Sequence, residues 1–185
     1  MKNIFLAVCA LCLLLVGTAS AQVAVTSPVN LDLGFGGGVS VPVGKLSDGD
    51  NTGFHVGAKG RISGFMPLHV VGFGNYNRLA NKVGSESDVV WMLGAGLEYP
   101  IPSAVVKPYI GVDAVANFFS NTASGSPTRK RVGAGAGAGV SFSVPAMGSI
   151  DVSVKYHLLN LIGKKDPEDT ISQIAGSVML MFSVL

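Results

Sequence analysis

Apolar and polar residues alternate along most of the chain, in eight blocks separated by Gly-, Pro- and Asn/Asp-rich breaks. From Phe54 to Ser63 one face reads Phe54, Val56, Ala58, Gly60, Ile62, and the other His55, Gly57, Lys59, Arg61, Ser63. A period of two marks a strand whose faces meet different surroundings. The pattern predicts strands near Val29–Val43, Thr52–Ser63, Pro67–Leu79, Asp88–Tyr99, Val106–Phe119, Arg131–Val144, Ser149–Leu161 and Thr170–Val184. Each is long enough for the roughly 9–11 residues of a tilted strand crossing a hydrocarbon layer.

The connections alternate in length. Gly44–Asn51, Ala80–Ser87, Ser120–Lys130 and Ile162–Asp169 are polar and longer, whereas Gly64–Met66, Pro100–Ala104 and Pro145–Gly148 are tight, with Gly or Pro at the bend. Apolar side chains form one face throughout: Leu31, Leu33, Phe35, Val39 and Val41 in the first strand, Ile110, Val112, Ala114, Ala116 and Phe118 in the fifth, Ile150, Val152, Val154, Tyr156 and Leu158 in the seventh. None of these sets holds a charge, and Arg or Lys at a bilayer midplane would cost about 2–4 kcal/mol.

Composition decides which way that face points. Charged residues make up 13% of the chain, against about 25% in an ordinary globular domain, so a charged, water-facing exterior is not available. The expectation is an all-β fold: an eight-stranded antiparallel up-and-down barrel, apolar side outward in a bilayer, with both termini at the short-turn end. Aromatic side chains collect at the strand ends of the outward face. Phe54, Tyr76, Trp91 and Phe118 lie toward the loops, and Tyr99, Phe142 and Phe182 toward the turns; two such belts suit the two interfaces of a membrane.

The opposite face is small and polar. It carries Asp32, Lys59, Arg61, Glu98, Asp113, Arg131, Asp151 and Lys155, four acids and four bases among many glycines. Eight strands enclose a space that side chains can fill, and buried charge is tolerated when paired. The expected lumen is an ion-paired, occluded core; a narrow gated pore lined by the same charges is the alternative.

The N-terminus has an export pattern: Lys2, an apolar run Ile4–Val16, and the small-residue site Ala19-Ser20-Ala21. Residues 1–21 are expected to be a cleaved signal peptide and residues 22–185 the barrel domain. Cys9 and Cys12 would leave with the signal, so no disulfide or thiolate metal site is expected in the mature chain. Its near-neutral charge gives no footprint for nucleic acid.

Other chemistry has weak support. The run Gly133–Gly139 lacks the Lys-Ser/Thr of a phosphate loop, and no helix follows Gly34–Gly38. No catalytic, cofactor or metal site is expected. His55, His69 and His157 are all assigned inward. Asp166, Glu168 and Asp169 are a conceivable divalent-cation loop, and Arg129, Lys130 and Arg131 are candidates for lipopolysaccharide phosphates.

This arrangement resembles the small eight-stranded outer-membrane barrels, similar to the OmpA transmembrane domain and the OmpX type, across Val23–Leu185. The resemblance implies an integral outer-membrane location, a lipid environment, and insertion by the barrel assembly machinery, which reads a C-terminal strand that ends in an aromatic. Here the chain closes Met181-Phe182-Ser183-Val184-Leu185, with Leu in the final place. Barrels of this class that edit lipid A carry serine two residues after the histidine, whereas Leu159 follows His157. The domain that follows the barrel in OmpA is not expected here, so its function is not carried over. The expected role is non-enzymatic, in surface structure or interaction through four outer loops. The rivals are a small pore, a lipid A-modifying enzyme and a soluble periplasmic barrel.

Overall fold

Period-two alternation with turn residues between blocks favours antiparallel neighbours, because a two-to-five-residue bend returns the chain beside the strand it has just left. The computed structural model describes residues 29–64, 67–102, 106–122, 128–145, 148–165 and 167–184. Eight strands follow: β1 Asn30–Gly44, β2 Gly53–Ser63, β3 His69–Ala80, β4 Ser87–Pro100, β5 Lys107–Asn121, β6 Arg129–Val144, β7 Gly148–Ile162 and β8 Ile171–Ser183. One helical turn, α1 (Leu46–Gly49), interrupts the first long connection. Every strand pairs antiparallel with its sequence neighbours, and β1 pairs with β8, so the sheet closes into a barrel without an edge. The proposed signal peptide and Leu185 lie outside the described residues.

The outer surface is apolar. Phe35 is 60% exposed, Val112 59% and Val154 57%, values that burial would normally suppress and that fit a lipid-facing wall. Tyr76 packs edge-on against Trp91 at 5.0 Å, and Phe35 stacks on Phe182 at 6.0 Å. Among the belt positions Phe54, Trp91, Tyr99, Phe142 and Phe182 are exposed, while Phe118 is half-buried beneath the Lys130 ammonium.

Glycine inside the barrel makes room for rings. A Cβ on Gly94 would run into the Phe73 ring, and one on Gly139 into the Tyr109 phenol. Without side chains at those two positions, both rings can extend into the lumen. Alternation breaks once, between β6 and β7. The register passes from Val132 opposite Ile162 to Ala134 opposite Leu158. The extra residues of this bulge turn Leu159 and Asn160 both inward, each fully buried.

Candidate functional site in the barrel lumen

Inward side chains stand at heights set by their strand positions, and register brings partners from distant strands to one level. Near the turn end, β2 contributes Lys59 and Arg61, β4 Glu98, β5 Tyr109 and β7 Asp151. Lys59 Nζ is 2.6 Å from Glu98 and 3.4 Å from Asp151. The Arg61 guanidinium lies 2.9 Å from Glu98 and 2.5 Å from Asp151, and its Nε also donates to Glu98. Tyr109 donates its hydroxyl to Asp151 at 2.7 Å, and both cations stand near its ring face. Lys59, Arg61, Glu98 and Asp151 are each at most 7% exposed. Two cations and two anions cancel, and each carboxylate binds both bases. This crossed arrangement meets the condition under which buried charge is tolerated.

One level toward the loops, Lys155 bonds Asp113 at 2.8 Å, with His157 3.3 Å from the same carboxylate. The Lys155 ammonium also lies 4.8 Å from the centre of the Phe73 ring. Next comes a neutral layer. His55 sits between Ser40 at 3.0 Å and Ser177 at 2.9 Å, and Ser40 donates to Asn77. A serine–histidine contact invites comparison with a hydrolase, but both His55 ring nitrogens meet serines, no carboxylate bonds the ring among the described residues, and Ser40 and His55 are at most 1% exposed.

The loop-side end of the lumen is apolar. Leu79, Val90, Met92, Val115 and Leu159 close on one another, and Leu46 of α1 is laid over them from above. Backbone bonds hold that cover: Asn51 N–H donates to Ala80, and Lys82 N–H to Gly49, both at 2.8 Å. Asp50, which follows α1, is buried, and this burial together with the nearby Asp88 charge pushes its carboxyl up to about 6 from an ordinary 3.8.

The turn-side end, as the described residues bound it, holds a cavity of about 620 Å³ that reaches from between the strand ends to Arg61 and Tyr109. Asp32, His69, Lys107 and several serines line it.

The eight charges expected in one lumen network divide into separate groups. Lys59, Arg61, Glu98 and Asp151 meet in the quartet, and Asp113 and Lys155 form a pair. Asp32 stands in the turn-side cavity, with no ion pair among the described residues. Arg131 must be corrected. It grips Glu168 of the β7–β8 connection through two nitrogens, at 2.7 and 3.2 Å, because the loop end of β6 lies beside that connection and far from the lumen acids. The Arg131 hydrogen bonds, with further donation from the Lys165 amide and Asn160, hold the Glu168 carboxyl at about 2, against an ordinary 4.5. With both oxygens occupied, Glu168 has no free edge for the conceived loop cation. Asp166 lies outside the described residues, and no group of three or more His, Cys, Asp or Glu side chains suited to a metal occurs among the described ones.

Two elements went unforeseen. Tyr109 joins the quartet as a fifth side chain through its bond to Asp151, and its parity on β5, matching Asp113, is the available signal. The apolar cover is the other; Leu46 lies in a polar connection, where no periodicity points to it.

The sequence profile of a family described as "Outer membrane protein beta-barrel domain" matches residues 9–182. Among solved structures, the chain is similar to Neisserial surface protein A (NspA), with 23% identity over 83% of this chain and 94% of that one, and a TM-score of 0.60. It is also similar to the Yersinia pestis outer membrane protein Ail in a phospholipid bilayer nanodisc, with 16% identity, 84% and 100% coverage and a TM-score of 0.47. A crystal structure of Ail with the heparin analogue sucrose octasulfate gives 17% identity, 84% and 99% coverage and a TM-score of 0.42. The NspA likeness is one of fold. No curated protein matches the chain.

Proposed function

The chain belongs to the outer membrane β-barrel family and is an integral outer-membrane protein, and on that footing we propose that it is a non-enzymatic surface protein that acts through its outer loops. The observation that carries this reading is double closure of the lumen. The crossed quartet of Lys59, Arg61, Glu98 and Asp151 blocks the turn half, and the apolar cluster under Leu46 blocks the loop half. A solute meets an ion-paired barrier and then a closely packed, largely apolar one, which disfavours a conducting role. The buried Ser40–His55 contact, without an acid and without access, gives no support to lipid hydrolysis.

In this reading residues 1–21 are the cleaved export signal, and the barrel assembly machinery inserts the chain. Arg129 and Lys130 are exposed at the loop end of β6, with Lys130 over the Phe118 ring at 5.7 Å. That position suits contact with lipopolysaccharide phosphates, whereas Arg131 is committed to Glu168. The test is single-channel recording of the refolded protein in planar bilayers, alongside mass spectrometry of lipid A from cells with and without expression. The wild type is expected to show no steady conductance and no change in lipid A. A stable open channel, or a new lipid A species, would overturn the proposal.

A further inference from the structure

The turn-side cavity has features that closing the lumen does not require. A plain water-filled vestibule would need only polar walls. This one sets an acid and a base, neither in a salt bridge among the described residues, on facing walls, with His69 within electrostatic reach of the acid. Asp32 projects from β1 and Lys107 from β5. In a closed eight-stranded barrel those strands are four places apart by either route, so they stand opposite one another. Of the quartet, Arg61 lines the cavity beside Tyr109, and its charge is met by Glu98 and Asp151. Between the walls, Ser63, Ser141 and Ser149 offer hydroxyls that both donate and accept. At about 620 Å³ the space is within the roughly 300–1,000 Å³ range of small-ligand sites.

The dimensions narrow the choice further. Eight strands about 4.8 Å apart and tilted by about 40° close into a wall about 16 Å across between backbones. Once an aspartate and a lysine reach inward from facing sides, the gap suits a dipolar molecule of about two extended residues, at about 3.5 Å each. A single fixed charge would leave one wall unanswered, and a long chain would not fit between them.

We propose that this vestibule binds a short peptide with free ends, its ammonium on Asp32, its carboxylate on Lys107 and its amide against the serine hydroxyls. The site lies at the short-turn end of the strands, which is the periplasmic side in an outer-membrane barrel, so its ligand is a periplasmic solute and not a surface partner.

The test uses the full mature barrel in detergent micelles, titrated with L-alanyl-L-alanine and, in parallel, with the same dipeptide acetylated and amidated, by isothermal calorimetry. Two charge-assisted contacts at a wet site give a Kd on the order of 1 mM for the free dipeptide. Asp32→Asn and Lys107→Gln should each weaken it about tenfold, which corresponds to losing one such contact. Asp32→Asn should leave the weak binding of the capped dipeptide unchanged. The exchanged variant carrying Asp32→Lys and Lys107→Asp keeps both charges, reverses the ligand and restores affinity. Gel migration without boiling reports folding of each variant. The proposal is overturned if free and capped dipeptides bind alike, if either single variant binds as wild type does, or if the exchanged variant stays as weak as the singles.

Discussion

Glu98→Ala is the sharpest probe of the lumen. Glu98 is 1% exposed and holds Lys59 at 2.6 Å and Arg61 at 2.9 Å. Its removal leaves two buried cations facing the single carboxylate of Asp151, at 3.4 and 2.5 Å. Each lost contact at about 3 Å is a Coulomb attraction of about 5 kcal/mol at an effective dielectric of 20, and most of that merely offset the cost of taking the ions out of water. The net cost of breaking one side of a buried ionic cluster is about 3–5 kcal/mol, because a charge remains without compensation. Urea unfolding from lipid vesicles measures it. With a slope of about 1–3 kcal/mol per molar, the midpoint should fall by about 1–5 M. Trp91, the sole tryptophan and exposed on the lipid face, reports insertion by fluorescence. Glu98→Gln keeps the shape and one acceptor and should fall between. Glu98→Ala should also admit water at the quartet, yet conduct little, because the apolar layer under Leu46 still closes the loop half. If Glu98→Ala unfolds within about 0.5 kcal/mol of wild type, the quartet does not hold the lumen as argued.

Val112 is 59% exposed on the lipid face near the middle of β5, so Val112→Arg should reduce folding into vesicles by about 2–4 kcal/mol; unimpaired folding would invert the assigned faces. Glu168, held down to about 2 chiefly by Arg131, supplies stability that is complete above about 4.5 and lost as pH falls toward about 2. The Lys165 amide, which donates to Glu168 at 3.0 Å, should report this as a shift with a midpoint near 2 that moves upward in Arg131→Gln. Asp50 has the opposite sign: its carboxyl is raised to about 6, so the loop cover gains stability as pH falls through 6 toward 3.8. Hydrogen-exchange protection of the Asn51 and Lys82 amides should rise over that window in wild type, and should be high and flat in Asp50→Asn.

The barrel itself was legible in the chain. Side chains alternate faces with period two whatever a strand pairs with, so Leu33, Phe35 and Val112 declared one face and Lys59, Arg61 and Glu98 the other. The low charge content then decided which face met lipid. Strand count and the long–short rhythm of connections needed only local turn residues, and the family match and the NspA fold agree with that architecture.

What alternation does not contain is height and partner. Whether Arg61 meets Asp151, 90 positions away, depends on the register accumulated around the barrel, and each strand pair adds an offset that no local pattern records. For that reason Arg131, on the lumen side by parity, ended beside Glu168 instead of a lumen acid. Asn160 shows the same limit on a smaller scale: a bulge opposite Gly133 turned it inward against simple alternation. Leu46 is the extreme case, a single apolar residue in a polar connection whose place over Leu79 and Leu159 exists only once the barrel has closed beneath it. The sequence by itself determined the strands, their faces and the membrane, because those follow from neighbours along the chain. Tertiary structure alone decided how the lumen is sealed, because that depends on which distant strands arrive at the same depth.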